Sequence, residues 1–344
     1  MVSALLVHVA VVMLMVSCCS AMQQRRIDLG RRHLTDCSPI AFPSAKDFSE
    51  TNCGALKCLV YTPTCGEIKR VVFFLHGGGQ SASSFREEIS SYWSDADHIG
   101  TYSKIVFLQA PNPSTAPSHK DGFSWANFIC HGCDLPNYVK HGSTDFKRYV
   151  QKDYSASSAG VADAIQKVKG SVESPELYLL GYSQGGWMAY DAAFNTKTHK
   201  VGGVFSIASM PLQPVLVASE KKQLTGNGKM AVGVWQPGKD EKFGTKYNST
   251  ELATKKYQQD AIFYIRDKLV LTNLDLVNNV KVSCQNWHPS HDQHTTAVSG
   301  AALHAFYRMI LWEGGDAPFK NECPNPAQIP PGRSRFIKFE DTSV

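Results

Sequence analysis

At 344 residues, with 43% hydrophobic and 19% charged residues, the chain has ample material for one large globular domain, which excludes a disordered or fibrous protein. Its formal net charge of +5 is small for this length and forms no dense basic block, which speaks against a nucleic-acid partner.

In chain order, residues 1–21 come first. The apolar run Ala4 to Val16, followed by the small residues Ser17-Cys18-Cys19-Ser20-Ala21, predicts a secretory signal peptide and therefore an exported protein. The first basic residues, Arg25, Arg26, Arg31 and Arg32, follow the run instead of preceding it, so an uncleaved anchor is the alternative. No later stretch approaches the length of a membrane span. Ten cysteines less Cys18 and Cys19 leave eight: Cys37, Cys53, Cys58, Cys65, Cys130, Cys133, Cys284 and Cys323. An even number in an exported chain reads as up to four disulfides of open connectivity. Cys130-His131-Gly132-Cys133 could be half a zinc site or a redox pair. It has no second such pair and no thioredoxin-like frame, so a structural disulfide role is preferred.

Residues 22–66 are polar and cysteine-rich and read as an N-terminal extension leading into a strand near Leu59–Thr62. Continuous apolar runs follow at 70–75, 105–108, 177–180, 201–207, 230–235 and 280–284. Runs without alternation suit strands buried on both faces, as in a mostly parallel sheet. Between them, helical spacing predicts helices over 157–169, 251–270 and 295–312. Strands alternating with helices spell an α/β fold, a mostly parallel doubly wound sheet with helices on both faces. The catalytic domain is placed at 67–315, with a Pro-rich tail at 316–344. Residues 111–156 and 236–250 are long polar insertions after strand ends, where such folds hold ligands. The second contains Asn248-Ser249-Thr250, an N-glycosylation sequon.

Chemistry concentrates at Gly181-Tyr182-Ser183-Gln184-Gly185. Gly-x-Ser-x-Gly alone arises by chance in roughly one sequence in six, but here an apolar strand precedes it and helix formers follow it. Strand, tight turn and helix with Ser183 at the apex describe a nucleophile elbow, and Gly181 and Gly185 stand where a Cβ would clash. A serine nucleophile needs a histidine base and a carboxylate that holds the imidazole in the right tautomer. In the order Ser, Asp, His, Asp240 follows strand 230–235 and suits the acid, whereas Asp275 is a poorer fit. Three histidines, His288, His291 and His294, share the loop before the last helix. His291 has the better spacing to that helix, His288 is the alternative base, and His294 falls in the first helical turn. Two main-chain amides should stabilise the oxyanion: that of Gln184, and one from the side-chain-free loop His76-Gly77-Gly78-Gly79.

Phe74-Leu75-His76-Gly77-Gly78-Gly79, Gly122-Phe123-Ser124-Trp125 and Gly181–Gly186 together resemble the phospholipase/carboxylesterase family that includes acyl-protein thioesterases. The resemblance spans about 70–312. It implies an α/β-hydrolase fold and hydrolysis of carboxylic esters or thioesters without a cofactor or metal. Ser183 matches the nucleophile, Gln184 and Gly78 the oxyanion positions, and Asp240 the acid. Ser124-Trp125-Ala126-Asn127 departs from the family's Ser-Trp-Phe-Asp, which alters the pocket wall. The expected protein is a secreted, monomeric serine hydrolase acting on a small-molecule or lipid ester, lysophospholipids included. A feruloyl-esterase or polyester-depolymerase-like esterase is the nearest alternative. A non-catalytic binding module on the same fold, and metal-assisted hydrolysis by the 288–294 histidines, are the readings from other classes.

Overall fold

The structure is a computed structural model that describes residues 38–64, 68–95, 97–115, 121–126, 151–170, 177–195, 201–209, 230–235, 280–283 and 297–311. Its main sheet has eight strands: β1 (Ser49–Cys53), β2 (Leu56–Tyr61), β3 (Arg70–Leu75), β4 (Ser103–Leu108), β7 (Leu177–Tyr182), β8 (Gly203–Ile207), β9 (Met230–Trp235) and β10 (Val280–Ser283). They lie in the order β1-β2-β4-β3-β7-β8-β9-β10. The first two joins are antiparallel and the rest parallel. A separate two-stranded ribbon pairs β5 (Asn112–Pro113) with β6 (Phe123–Ser124), inside the first polar insertion.

The uninterrupted apolar runs have the cause expected of them. Along β3, Val71, Phe73 and Leu75 enter one core with Leu179, Trp187 and Met188. Val72 and Phe74 enter the other with Phe85, Ile89, Phe306 and Met309. Helices α2 (Gln151–Lys169) and α3 (Gln184–Asn195) cover the first face, and α1 (Ala82–Tyr92) and α4 (Gly300–Ile310) the second. With both faces covered, the pleat's alternation sorts side chains between two cores, so no polar positions recur. This is the α/β-hydrolase arrangement of a mostly parallel sheet with helices on both sides.

Several elements differ from the pattern-based reading. The segment read as an extension into one strand holds a hairpin, β1–β2, hydrogen-bonded to the main sheet through β4. β1 escaped notice because Ser-Glu-Thr-Asn is exposed edge strand and only Cys53 is buried. Cys53 and Cys58 are disulfide-bonded with Cα atoms 5.8 Å apart, stapling that hairpin. The other six of the eight cysteines considered, residues 1–21 and the segment 251–270 expected to be helical lie outside the described residues. α1 lies where the apolar spacing predicted no element, because its serines hide a narrow stripe of Ala82, Phe85 and Ile89. Ser81 starts it, its side chain accepting from the Ser84 amide. α2 begins six residues before the apolar spacing does. α4 begins at Gly300 instead of 295, capped by the Ser299 hydroxyl. No helix among the described residues is long and apolar enough to cross a membrane.

Candidate active site

β7 ends at Tyr182 and α3 begins at Gln184, so a single residue, Ser183, makes the turn. Its φ is 51°, a left-handed conformation that costs a non-glycine residue roughly 1–3 kcal/mol. The surroundings hold it there. The Ser183 N–H donates to the Ile207 carbonyl (3.0 Å), and its carbonyl accepts from the Gly186 N–H (3.0 Å) and the Ser209 hydroxyl (2.6 Å). A Cβ on Gly181 would fall on the Gly185 carbonyl, and one on Gly185 on the carbonyls of Leu75 and His76. Both glycines are therefore demanded by backbone-to-backbone contact, as the sequence indicated.

Leu75 pairs in register with Gly181, so the Gly-rich loop after β3 emerges beside the Ser183 turn. Its amides are nearly all engaged. Gly77 N–H donates to Gln80 Oε1 (2.8 Å), Gly79 N–H to the Phe123 carbonyl (2.8 Å), and Gln80 N–H to the Gly77 carbonyl (3.3 Å). Among the described residues, the N–H groups of Gly78 and Gln184 have no hydrogen-bond acceptor. The two residues touch: a Cβ on Gly78 would lie 2.7 Å from Gln184 Cδ.

The buried Gln184 carboxamide reaches away from its own turn. Its oxygen accepts from the Trp125 N–H (3.1 Å) and its nitrogen donates to the Ala126 carbonyl (3.1 Å). Trp125 Nε1–H donates in turn to the His76 carbonyl (2.8 Å). Segment 123–126 thus straps the Gly-rich loop to the elbow, with Ala126 fully buried in that strap. Sequence reasoning assigned only the Gln184 main chain. No periodicity signals a side-chain bridge to residues nearly sixty positions away.

His76 is fully buried. Its Nε2 accepts from the Ala110 N–H (3.0 Å), so the ring proton sits on Nδ1, which donates to the Gly77 carbonyl (2.7 Å). Burial is the main cause that lowers its pKa to about 4, opposed by the hydrogen bond to Gly77. At neutral pH it is an uncharged pin joining the ends of β3 and β4.

Of the residues singled out from sequence, the structure brings together Ser183, Gly78 and Gln184. Asp240, His291, His288 and Asn248 lie outside the described residues. No cluster of three or more metal-ligating side chains occurs among the described residues.

A half-buried hydroxyl on a strained strand–helix turn, next to two uncommitted main-chain donors, is equipped for nucleophilic attack on a carbonyl. Residues 67–222 match a family model described as Serine hydrolase (FSH1), a span that contains the Gly-rich loop, the strap and Ser183. Over that span, less than half of the chain, the sequence is similar to the serine hydrolases. That agrees with the resemblance drawn from Phe74–Gly79 and Gly181–Gly186. No curated protein matches the chain. Among solved structures, it is similar to acyl-protein thioesterase 2 from Zea mays, with 15% identity over 69% of this chain and 90% of that one and a TM-score of 0.45. It is also similar to a phospholipase/carboxylesterase from Dyadobacter fermentans, with 14% identity, 77% and 100% coverage and a TM-score of 0.46. With a carboxylesterase from Mesorhizobium loti it shares 14% identity over 72% of this chain and 92% of that one, at a TM-score of 0.44. At such scores these likenesses add nothing to the strand order already described.

Proposed function

We propose that this serine hydrolase is an exported esterase that cleaves carboxylic esters, thioesters included, through a covalent acyl-enzyme on Ser183. The observation that carries the reading is the pair of uncommitted amides, Gly78 and Gln184, beside a serine held at φ 51°. In this reading Ser183 Oγ attacks the ester carbonyl while His291 takes its proton, and Asp240 orients the imidazole. The tetrahedral oxyanion accepts hydrogen bonds from the Gly78 and Gln184 amides, each contributing about 3 kcal/mol to the transition state. Collapse expels the alcohol or thiol, which receives the proton from His291. Water, activated by the same histidine, then frees the acid. Export is supported by the leader-like residues 1–21, the Cys53–Cys58 disulfide and the Asn248 sequon.

Wild type is expected to hydrolyse short p-nitrophenyl esters and to be labelled covalently by a fluorophosphonate. Ser183→Ala should lower kcat by at least about a thousandfold and abolish labelling. Turnover retained in Ser183→Ala would reject the assignment, and labelling that survives Asp240→Asn and His291→Ala together would reject the relay.

A further inference from the structure

The Gly-rich loop owes its shape to a side chain that the catalytic scheme does not use. Gln80 folds back so that Oε1 accepts from the Gly77 N–H (2.8 Å) while Nε2 donates to Glu88 Oε2 (2.7 Å) on α1. Only this orientation of the carboxamide works: turned over, it would set NH2 against an N–H and a carbonyl oxygen against a carboxylate. An ionised carboxylate has no proton to donate, so Glu88 decides which way Gln80 faces. Glu88 is half-buried, and the one hydrogen-bond partner of its carboxylate among the described residues is Gln80. Burial pushes its carboxyl up from the usual range.

Gly77 is the pivot of this arrangement. The peptide before it is anchored by Trp125 Nε1–H on the His76 carbonyl and by Gln80 on the Gly77 N–H. The peptide after it is anchored by His76 Nδ1–H and the Gln80 N–H, both on the Gly77 carbonyl. That second peptide carries the Gly78 N–H. Freeing the Gly77 amide leaves the following peptide held only through the Gly77 carbonyl, and a glycine's wide torsional range then lets that peptide tilt and carry the Gly78 donor with it.

We propose that Glu88 and Gln80 are positioning residues, a carboxylate-to-carboxamide relay that holds the Gly77 pivot so that the Gly78 N–H, alone among the amides of the Gly-rich loop, is left to meet the substrate's carbonyl oxygen beside that of Gln184. This rests on the esterase reading for what the donor meets, but the relay itself is readable without turnover.

Glu88→Met removes the acceptor, together with a carboxylate that burial disfavours, so its melting temperature should equal or exceed that of wild type. For p-nitrophenyl acetate the variant is expected to lose about tenfold in kcat with KM within about twofold of wild type. Glu88→Gln, whose amide oxygen can still accept from Gln80, should recover most of that loss. Independently of any substrate, hydrogen exchange followed by NMR should show the Gly77 amide exchanging at least about tenfold faster in Glu88→Met. An unchanged Gly77 exchange rate, or kcat equal to wild type in Glu88→Met, overturns the relay. If wild type neither turns over esters nor reacts with a fluorophosphonate, the esterase reading fails instead, while the exchange measurement still decides the relay.

Discussion

The two turns that flank the site are built on opposite principles. The Ser183 turn after β7 is held chiefly by contact: Gly181 and Gly185 press main chain against main chain, and the hydrogen bonds that fix its strained φ involve no titratable group. The Gly-rich loop after β3 is held by hydrogen bonds from Gln80, His76, Trp125 and Phe123, and its glycines leave it torsionally free. A turn made rigid by sterics tolerates no added atom but is indifferent to pH. A turn made rigid by polar side chains accepts small changes of shape but answers to protonation and to loss of a single partner.

Three measurements probe that contrast, taken from the largest effect down. Gly185→Ala drives a methyl into the Leu75 and His76 carbonyls and should destabilise by about 4 kcal/mol, a loss visible in the urea midpoint or as failure to accumulate folded protein. A midpoint within about 1 kcal/mol of wild type would show that the elbow can relax.

The second measurement is acid titration of the loop. In the unfolded chain His76 binds a proton near pH 6.5, in the folded one near 4. Between those values the unfolded state holds more protons, so stability falls as pH drops from 6.5 to 4, by up to about 3 kcal/mol. Unfolding free energies at pH 7, 5.5 and 4.5 should trace this decline. His76→Asn, lower in stability overall, should flatten it.

The smallest effect tests the bridge between the turns. Gln184→Met keeps the helix start and the bulk but leaves the Trp125 N–H and the Ala126 carbonyl unpaired. It should cost about 2 kcal/mol by denaturant titration. Loss of stability without loss of fluorophosphonate labelling would place the damage in the loop and leave the elbow intact.

Much of the fold was readable because strands covered on both faces must be apolar along their length, and Val71–Leu75 and Leu177–Leu180 are such runs. Ser183 was readable because its turn needs glycine at fixed offsets. What stayed hidden depends on partners far away in the chain. β1 is polar because it is an edge, and α1 has only three buried residues among its serines. β5 and β6 are two residues each, too short to leave a pattern. Gln80 and Glu88 lie eight positions apart on a loop and a helix, a spacing that no periodic template tests.

The register of Leu75 against Gly181 has a consequence for variation. The Gly78 and Gln184 amides follow directly after neighbouring parallel strands in the middle of the sheet, so the pairing of β3 with β7 sets the gap between them, whatever the length of chain that joins the two strands. On the proposed esterase reading, sequence change outside the 121–126 strap leaves that strand pairing, and with it the spacing of the two donors, untouched. On that reading selectivity and reactivity fall to separate parts of the chain.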